Sequence, residues 1–277
     1  MGRSTRNDGP TRMDRLKFRM EVVDILRMVK PRFTYSQLSQ LTGLPATVLS
    51  RYILGHVLPT FERAVELWEV LTKRVINIRD EIVERIEFDG NGFFDNTPII
   101  FDPFIRRFVT TWIYDKLMGT RVDKVLTAAV DGIPLAVTLS DRLGVPVVVA
   151  KKEKEIGIRD FWTVDLIRGS GKRETLYVPK AWLRKKDWVV IVDDVIRTGE
   201  TQRALIELVN KVGAKLSGLF VLVSVGDWRG KIEVPDDAVV EVLITLNEVA
   251  KGDNPGKRAS GRFGKEPRVA RAGLTGP

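Results

Sequence analysis

The stretch that most constrains this chain is WVVIVDDVIRTGET, from Trp188 to Thr201. Trp188 to Val192 is a short apolar run rich in β-branched residues, which predicts a buried strand. Asp193 and Asp194 then set two carboxylates at the C-terminal end of that strand, and Val195 to Gly199 reads as a tight loop. From Glu200 the apolar positions follow helical spacing through Ala204, Leu205, Leu208, Val209 and Val212. A strand, an acidic pair, a small loop and a helix start call for an open α/β sheet, where ligands lie outside the carboxyl ends of strands. The loop offers backbone N–H groups, the Thr198 and Thr201 hydroxyls and a glycine that permits close approach. With the positive end of the helix dipole, these make a cradle for a phosphate. The acids in front of it suit a ribose 5-phosphate, whose 2′- and 3′-hydroxyls they would accept from. Neither the GKS/GKT of a P-loop nor a G-x-G-x-x-G fingerprint is present.

The neighbouring sequence extends the pattern. A helix is expected over 104–118, strands over 122–129, 147–150, 219–225 and 239–246, and a helix from the turn at Val130–Ala136 to Leu143. Strands alternating with helices predict a parallel sheet. Asp131-Gly132 is a strand-to-helix turn whose amides can meet an anion. Lys151 and Lys152 end the next strand, and Lys154 to Tyr177 is mostly polar. Taken together these residues resemble a known family. WVVIVDDVIRTGET resembles the motif with which type I phosphoribosyltransferases bind phosphoribosyl pyrophosphate (PRPP), and AAVDGIPLA resembles the pyrophosphate loop of the purine members. The resemblance covers about residues 93–246. It implies a type I phosphoribosyltransferase fold, a parallel sheet flanked by helices. It also implies that Asp193 and Asp194 hold the ribose, that Val195, Ile196, Arg197, Thr198, Gly199, Glu200 and Thr201 surround the 5′-phosphate, and that Val130, Asp131, Gly132, Lys151 and Lys152 meet the pyrophosphate. Mg²⁺ would be held mainly through PRPP, with no direct protein ligands. About 153–179 occupies the place of the family's mobile loop. Phe101 and Asp227-Trp228 are candidates for contact with a base.

The first third of the chain is different. Asp14 to Val29 carries two apolar stripes at helical spacing: Leu16, Met20, Val23 and Leu26, and Phe18, Val22, Ile25 and Val29. Two stripes predict a helix buried over a wide face. Thr34 can cap a second helix, Thr42-Gly43-Leu44 is a turn, Pro45 opens a third helix and Pro59-Thr60 a fourth. A helix, a turn with a central glycine and a short second helix is the helix-turn-helix pattern, and the run resembles phage-repressor-type domains. On that reading Gln37, Ala46, Thr47, Ser50 and Arg51 would contact DNA. Val75 to Phe88 is expected to be a connecting helix or a dimer contact, and Asp89-Gly90-Asn91-Gly92 a boundary. The expected organisation is a basic tail over 1–13, an all-α helix-turn-helix domain over 14–75, a linker helix over 76–92, a phosphoribosyltransferase-like domain over 93–250 and a basic tail over 251–277.

Composition narrows the chemistry. There is no Cys and one His, which argues against thiolate zinc, a cysteine nucleophile or a His-based triad. The net charge of +9 resides in the ends: residues 1–20 carry six basic and two acidic side chains, and 251–277 carry seven and two. Such tails could touch phosphate backbones or simply solubilise the chain. No run reaches membrane-spanning length, so a cytoplasmic protein is expected, with no membrane partner. The favoured reading is a homodimeric, DNA-binding transcriptional regulator that binds an operator duplex and takes PRPP or a nucleotide as effector. The alternative is an active purine or pyrimidine phosphoribosyltransferase that forms a nucleoside 5′-monophosphate and pyrophosphate.

Overall fold

The computed structural model describes residues 9–86, 89, 94–169 and 171–247. The expectations for residues 1–8, for Gly90, Asn91 and Gly92 and for the C-terminal tail lie outside the described residues. Seven described helices precede the first strand: α1 (Arg12–Val29), α2 (Tyr35–Thr42), α3 (Ala46–Ile53), α4 (Phe61–Val70), α5 (Ile78–Val83), α6 (Thr97–Ile100) and α7 (Pro103–Leu117). There follow β1 (Lys124–Ala128), α8 (Ile133–Leu143), β2 (Val147–Ala150), β3 (Phe161–Ile167), β4 (Arg173–Pro179), β5 (Trp188–Ile196), α9 (Glu200–Val212), β6 (Lys215–Val225) and β7 (Val239–Leu246).

The N-terminal helices start where polar side chains can satisfy their first amides. Thr11 with Asp14, and Thr34 with Gln37, form reciprocal capping boxes. Thr60, Asn77 and Asp102 accept from the first turns of α4, α5 and α7. Gly43 ends α2 in the left-handed region at φ 70°, which a glycine reaches without steric cost. In α1, Phe18, Val22, Val23, Ile25, Leu26 and Val29 are buried, but Leu16 is 37% and Met20 51% exposed. The buried face of α1, which packs against α3, α4 and α7, is therefore narrower than the two stripes suggest. In the segment expected over 75–88 to be a connecting helix or a dimer contact, the described residues hold the six-residue α5, preceded by a widened turn at Leu71–Val75. Its Ile78 and Ile82 are buried in the chain's own core and so are not offered to a second copy.

Five strands form a parallel sheet in the order β2-β1-β5-β6-β7. The chain steps outward from β1 to β2, and in the other direction from β5 through β6 to β7. The order reverses between β1 and β5, where the carboxyl ends of two neighbouring strands diverge and leave a crevice. Strand alternation distributes the apolar side chains over two layers. Val190, Val192, Phe220 and Leu222 face α7, α8 and the N-terminal helices, whereas Val189, Ile191, Leu219 and Val221 face α9 and the β3–β4 ribbon.

The first of these layers is continuous with the N-terminal helices. Phe18 of α1 stands edge-on to Trp68 of α4 at 6.4 Å, Trp68 meets Phe108 of α7 at 5.0 Å, and Trp112 of α7 meets Phe220 of β6 at 5.8 Å. Charge reinforces the seam: Glu21 of α1 pairs with the buried Arg142 of α8, and Lys17 donates to the Arg142 carbonyl at 3.1 Å. Burial raises the Glu21 pKa and lowers that of Arg142. On the other layer, the segment expected to be a mobile loop contains an antiparallel ribbon, β3 with β4. Val164, Leu166, Leu176 and Val178 are buried against α9, so alternate positions of both strands are apolar for a packing reason.

Candidate active site

The crevice between β1 and β5 is a cleft of 230 Å³. Its floor is the strand end Asp193–Val195, one side is the turn Ala129–Asp131, and the other is Arg197–Gln202 at the start of α9. Leu166, Arg168 and Leu176 of the ribbon, together with Lys152, complete the wall.

Two helices point their N-termini into this space, and neither has a side-chain cap. Gly132 precedes α8 and Gly199 precedes α9. At α9 the first-turn amides carry no side-chain cap and can meet a bound anion. At α8 the Ile133 N–H donates to the Val130 carbonyl at 3.1 Å and Pro134 has no N–H, so an anion there falls to the turn before the helix. Both glycines are required. A Cβ on Gly132 would lie 2.2 Å from Thr127 Oγ1 and 3.1 Å from Asp193 Oδ1. Gly199 has φ +75°, and a Cβ there would meet the Lys231 carbonyl at 3.0 Å. The loop before α9 is braced from behind: Arg203 donates to the Thr198 carbonyl at 3.1 Å and Lys231 Nζ to the Arg197 carbonyl at 2.9 Å.

The acidic pair is not a pair of equivalents. Strand alternation turns Asp193 toward α9, where Gln202 Nε2 donates to its Oδ2 at 2.6 Å and the Asp194 N–H to its Oδ1 at 3.1 Å. Asp194 accepts from Asn96 Nδ2, just before α6. Asp193 is buried, and burial with the neighbouring Asp194 charge pushes its pKa well above the usual carboxylate range. Asp194 is raised too, by burial first and further by the charge of Asp131. Of the two carboxylates, Asp194 is the more accessible to a ligand.

The remaining expected residues divide. Val130, Asp131, Lys152, Val195, Arg197, Thr198, Gly199, Glu200 and Thr201 line the cleft with the acids, and Gly132 backs it. Ile196 is fully buried beneath it, and Arg197 stacks its guanidinium 5.1 Å over the Phe94 ring. Lys151 does not line the cleft: its backbone bridges Tyr177 of β4 and its ammonium pairs with Glu155. Glu200 spends its side chain on the ribbon, accepting from the Gly169 N–H at 2.8 Å. Phe101 is 59% exposed, and neither it nor Asp227-Trp228 lines the cleft. Sequence reading missed Asn96, Gln202, Arg168 and Glu174. Gln202 alone had a signal, since a polar residue three positions beyond the loop glycine falls on the face that α9 turns to the sheet. Glu174 gathers Lys152 at 3.1 Å, Lys172 at 3.1 Å and Arg168 at 3.5 Å, with hydrogen bonds from the two lysines the main cause holding its pKa down at about 2.

An open parallel sheet whose switch point gathers two uncapped helix starts, an acidic strand end and a basic wall defines an anion-binding α/β protein. The chain belongs to the phosphoribosyltransferase family: the model of the phosphoribosyl transferase domain matches residues 104–252. The hypoxanthine/guanine phosphoribosyltransferase of Methanotorris igneus is 33% identical over 153 residues, which are 55% of this chain and 81% of that protein. That of Methanocaldococcus infernus is 32% identical over 155 residues, 56% and 82% of the two chains. The adenine phosphoribosyltransferase structures of Rhodothermus marinus (TM-score 0.55, 22% identity, 61% of this chain and 99% of that one) and Thermoanaerobacter pseudethanolicus (0.54, 24%, 60% and 99%) share the type I fold.

These comparisons overturn the reading as a DNA-binding transcriptional regulator, because the relatives are named as hypoxanthine/guanine and adenine phosphoribosyltransferases. The N-terminal region is helical, as expected. Gln37 is the reciprocal partner of Thr34 in a capping box. Ala46, Thr47 and Arg51 are the solvent side of an amphipathic helix that buries Leu49, and Ser50 lies half-buried beside it. Among the described residues no helix is long and apolar enough to cross a membrane.

Proposed function

We propose that the protein is an active phosphoribosyltransferase that joins a 6-oxopurine base to the ribose 5-phosphate of PRPP. The observation that carries this reading is the convergence of two glycine-started helices, α8 and α9, on one cleft with Asp194 between them. A PRPP molecule has an anion at each end, which matches two amide cradles separated by a carboxylate. The α9 start, with Thr198 and Thr201, takes the 5′-phosphate. The Val130–Gly132 turn and Lys152 take the pyrophosphate. Asp194 accepts from the ribose hydroxyls, and Asp193, held by Gln202, supports it from beneath. The ribose C1–O bond to pyrophosphate breaks with its electron pair leaving on the pyrophosphate oxygen. A ring nitrogen of the base forms the new bond at C1 and releases its proton to solvent. Catalysis is then mostly positioning and electrostatic stabilisation of the cationic C1 centre. The relatives' names support the choice of base. In this reading the sheet domain begins near residue 93, and the N-terminal helices are its structural cover.

Mg²⁺ fits the donor set in a limited way. Among the described residues no group of three His, Asp or Glu side chains is arranged to hold a metal ion. Asp131 and Asp194 are close enough that one raises the pKa of the other. One or two carboxylates plus substrate phosphates are the usual Mg²⁺ environment. These two would share an ion carried mainly by PRPP, which supplies charge neutralisation on the pyrophosphate. The test is a spectrophotometric assay with PRPP, Mg²⁺ and hypoxanthine, guanine, adenine, uracil or orotate in parallel. Turnover with hypoxanthine or guanine is expected; calorimetric PRPP binding with no turnover on any base defeats the proposal.

A further inference from the structure

Glu200 is in an unexpected place for an anion. It opens α9 beside the loop that would take a phosphate, and its side chain is only 8% exposed. The helix dipole favours a carboxylate there, but a second anion alongside would be repelled. The structure supplies a counter-charge from the ribbon. Glu200 Oε1 accepts from the Gly169 N–H at 2.8 Å, and Oε2 faces Arg168 Nη1 at 3.4 Å. Arg168 is held in turn by Glu174 at 3.5 Å, which also takes Lys152 at 3.1 Å. The backbone around Arg168 is fixed as well, its N–H donating to the Lys172 carbonyl at 2.9 Å and its carbonyl accepting from Gly171 at 2.7 Å. Glu200, Arg168, Glu174 and Lys152 thus alternate in sign from the phosphate loop to the opposite rim of the cleft.

We propose that Glu200 is a positioning residue: by binding the Gly169 N–H and Arg168 it clamps the end of the β3–β4 ribbon to the phosphate loop and presets the Arg168 guanidinium for the anionic substrate. This rests on the phosphoribosyltransferase reading. A carboxylate that was merely tolerated beside the cradle would repel PRPP, and its removal would tighten binding. A clamp predicts the reverse, because the ribbon end and its cation lose their fixed place.

The experiment is calorimetric titration of PRPP with Mg²⁺ into the full-length wild type, Glu200→Ala, Glu200→Gln, Arg168→Ala and the Glu200→Ala/Arg168→Ala double variant, with hydrogen exchange read at the Gly169 amide. Glu200→Ala is expected to weaken binding roughly tenfold. KM for PRPP should rise by a similar factor, and kcat should move less. Glu200→Gln, whose amide oxygen still accepts from Gly169, should fall between. The double variant should be no weaker than the weaker single variant, since one residue acts through the other. Gly169 should be protected in the wild type and Glu200→Gln and unprotected in Glu200→Ala. Unchanged or tighter PRPP binding in both Glu200 variants overturns the clamp, as does unchanged Gly169 exchange or strict additivity in the double variant. Should Glu200→Ala not fold, Glu200→Gln and Arg168→Ala carry the same comparison. Failure of the wild type to bind PRPP would instead remove the functional reading, while Gly169 exchange still reports on the clamp.

Discussion

Most helix starts of the N-terminal region differ in one respect from the two at the sheet. In the N-terminal region α1, α2, α4 and α5 each begin with a Thr or Asn whose side chain closes the first turn, and Asp102 does the same for α7; the short α3 and α6 follow Pro45 and Asn96 without a side-chain cap. At the sheet, α8 and α9 begin with Gly132 and Gly199 and no side-chain cap. A capping side chain occupies the mouth of the first turn and takes one or two of its four orphan amides, whereas a glycine start leaves that mouth open to a ligand. What sets α8 and α9 apart is a glycine start at a strand end, which no described helix of the N-terminal region has. The same contrast shows why two strong local patterns had different fates. The pattern around Thr42-Gly43-Leu44 specifies how two helices pack, which many proteins need. The pattern around Asp193-Asp194 specifies chemical groups at a strand end, and those groups constrain the ligand.

The sharpest way to break this division is to ask whether the capped region is part of the body at all. Trp68 is 5% exposed and bridges Phe18 and Phe108. Trp68→Ala should cost about 3–5 kcal/mol. The whole chain should lose that stability in one denaturant transition, because the core is continuous from α1 to β6. Two separate transitions, with only the first one shifted, would contradict the shared core.

The charged seam should respond to pH. Arg142→Met leaves Glu21 buried without its partner, at a cost of about 3–5 kcal/mol near neutrality. The Glu21 pKa is already raised by burial, and Arg142 lowers it, so losing Arg142 raises it further. A raised carboxyl pKa contributes stability that is full below the ordinary glutamate value and is lost as pH rises through the folded value. The deficit of Arg142→Met should therefore be larger at about pH 7 than at about pH 4, close to the ordinary glutamate value. Urea denaturation at the two pH values checks it, and equal deficits would show that Glu21 is not charged in the seam.

At the cleft the effect should appear in rate and not in stability. Asp194→Asn is expected to lower turnover by about 10²–10³-fold, the usual cost of removing one preorganised electrostatic group. Its melting temperature should match or exceed the wild type's, because burial raises the Asp194 pKa and an amide removes that penalty. A melting temperature well below wild type would make Asp194 a structural residue.

The smallest effects belong to the capped region. Thr34→Ala should cost about 1 kcal/mol through loss of the α2 cap, with kcat/KM unchanged. Arg51→Ala, on the exposed side of α3, should stay within about 0.5 kcal/mol and also leave kcat/KM unchanged. Altered kinetics in either variant would tie this region to the reaction.

Local chemistry alone determined the β5–α9 unit, the Val130–Gly132 turn, the parallel alternation and the caps at Thr34 and Thr60. Each is set by residues a few positions apart, through strand period, helix period, dipole and turn geometry. What lay beyond that range was decided by tertiary structure. Leu16 and Met20 are apolar at helical spacing, but whether a face is buried depends on which helices come to rest against it, and among the described residues theirs stays exposed. Phe161 to Pro179 is polar enough to read as a loop, yet its alternate apolar positions find α9 and become a ribbon. Asp193 and Asp194 are neighbours in sequence and line one cleft, yet they find different partners. Their partners Gln202 and Asn96 lie 9 and 98 residues apart from them in the chain. The first contact lies within the β5–α9 unit, where helix period alone points Gln202 at the sheet; no local rule reaches the second, which exists only once the start of α6 has come to rest beside the end of β5.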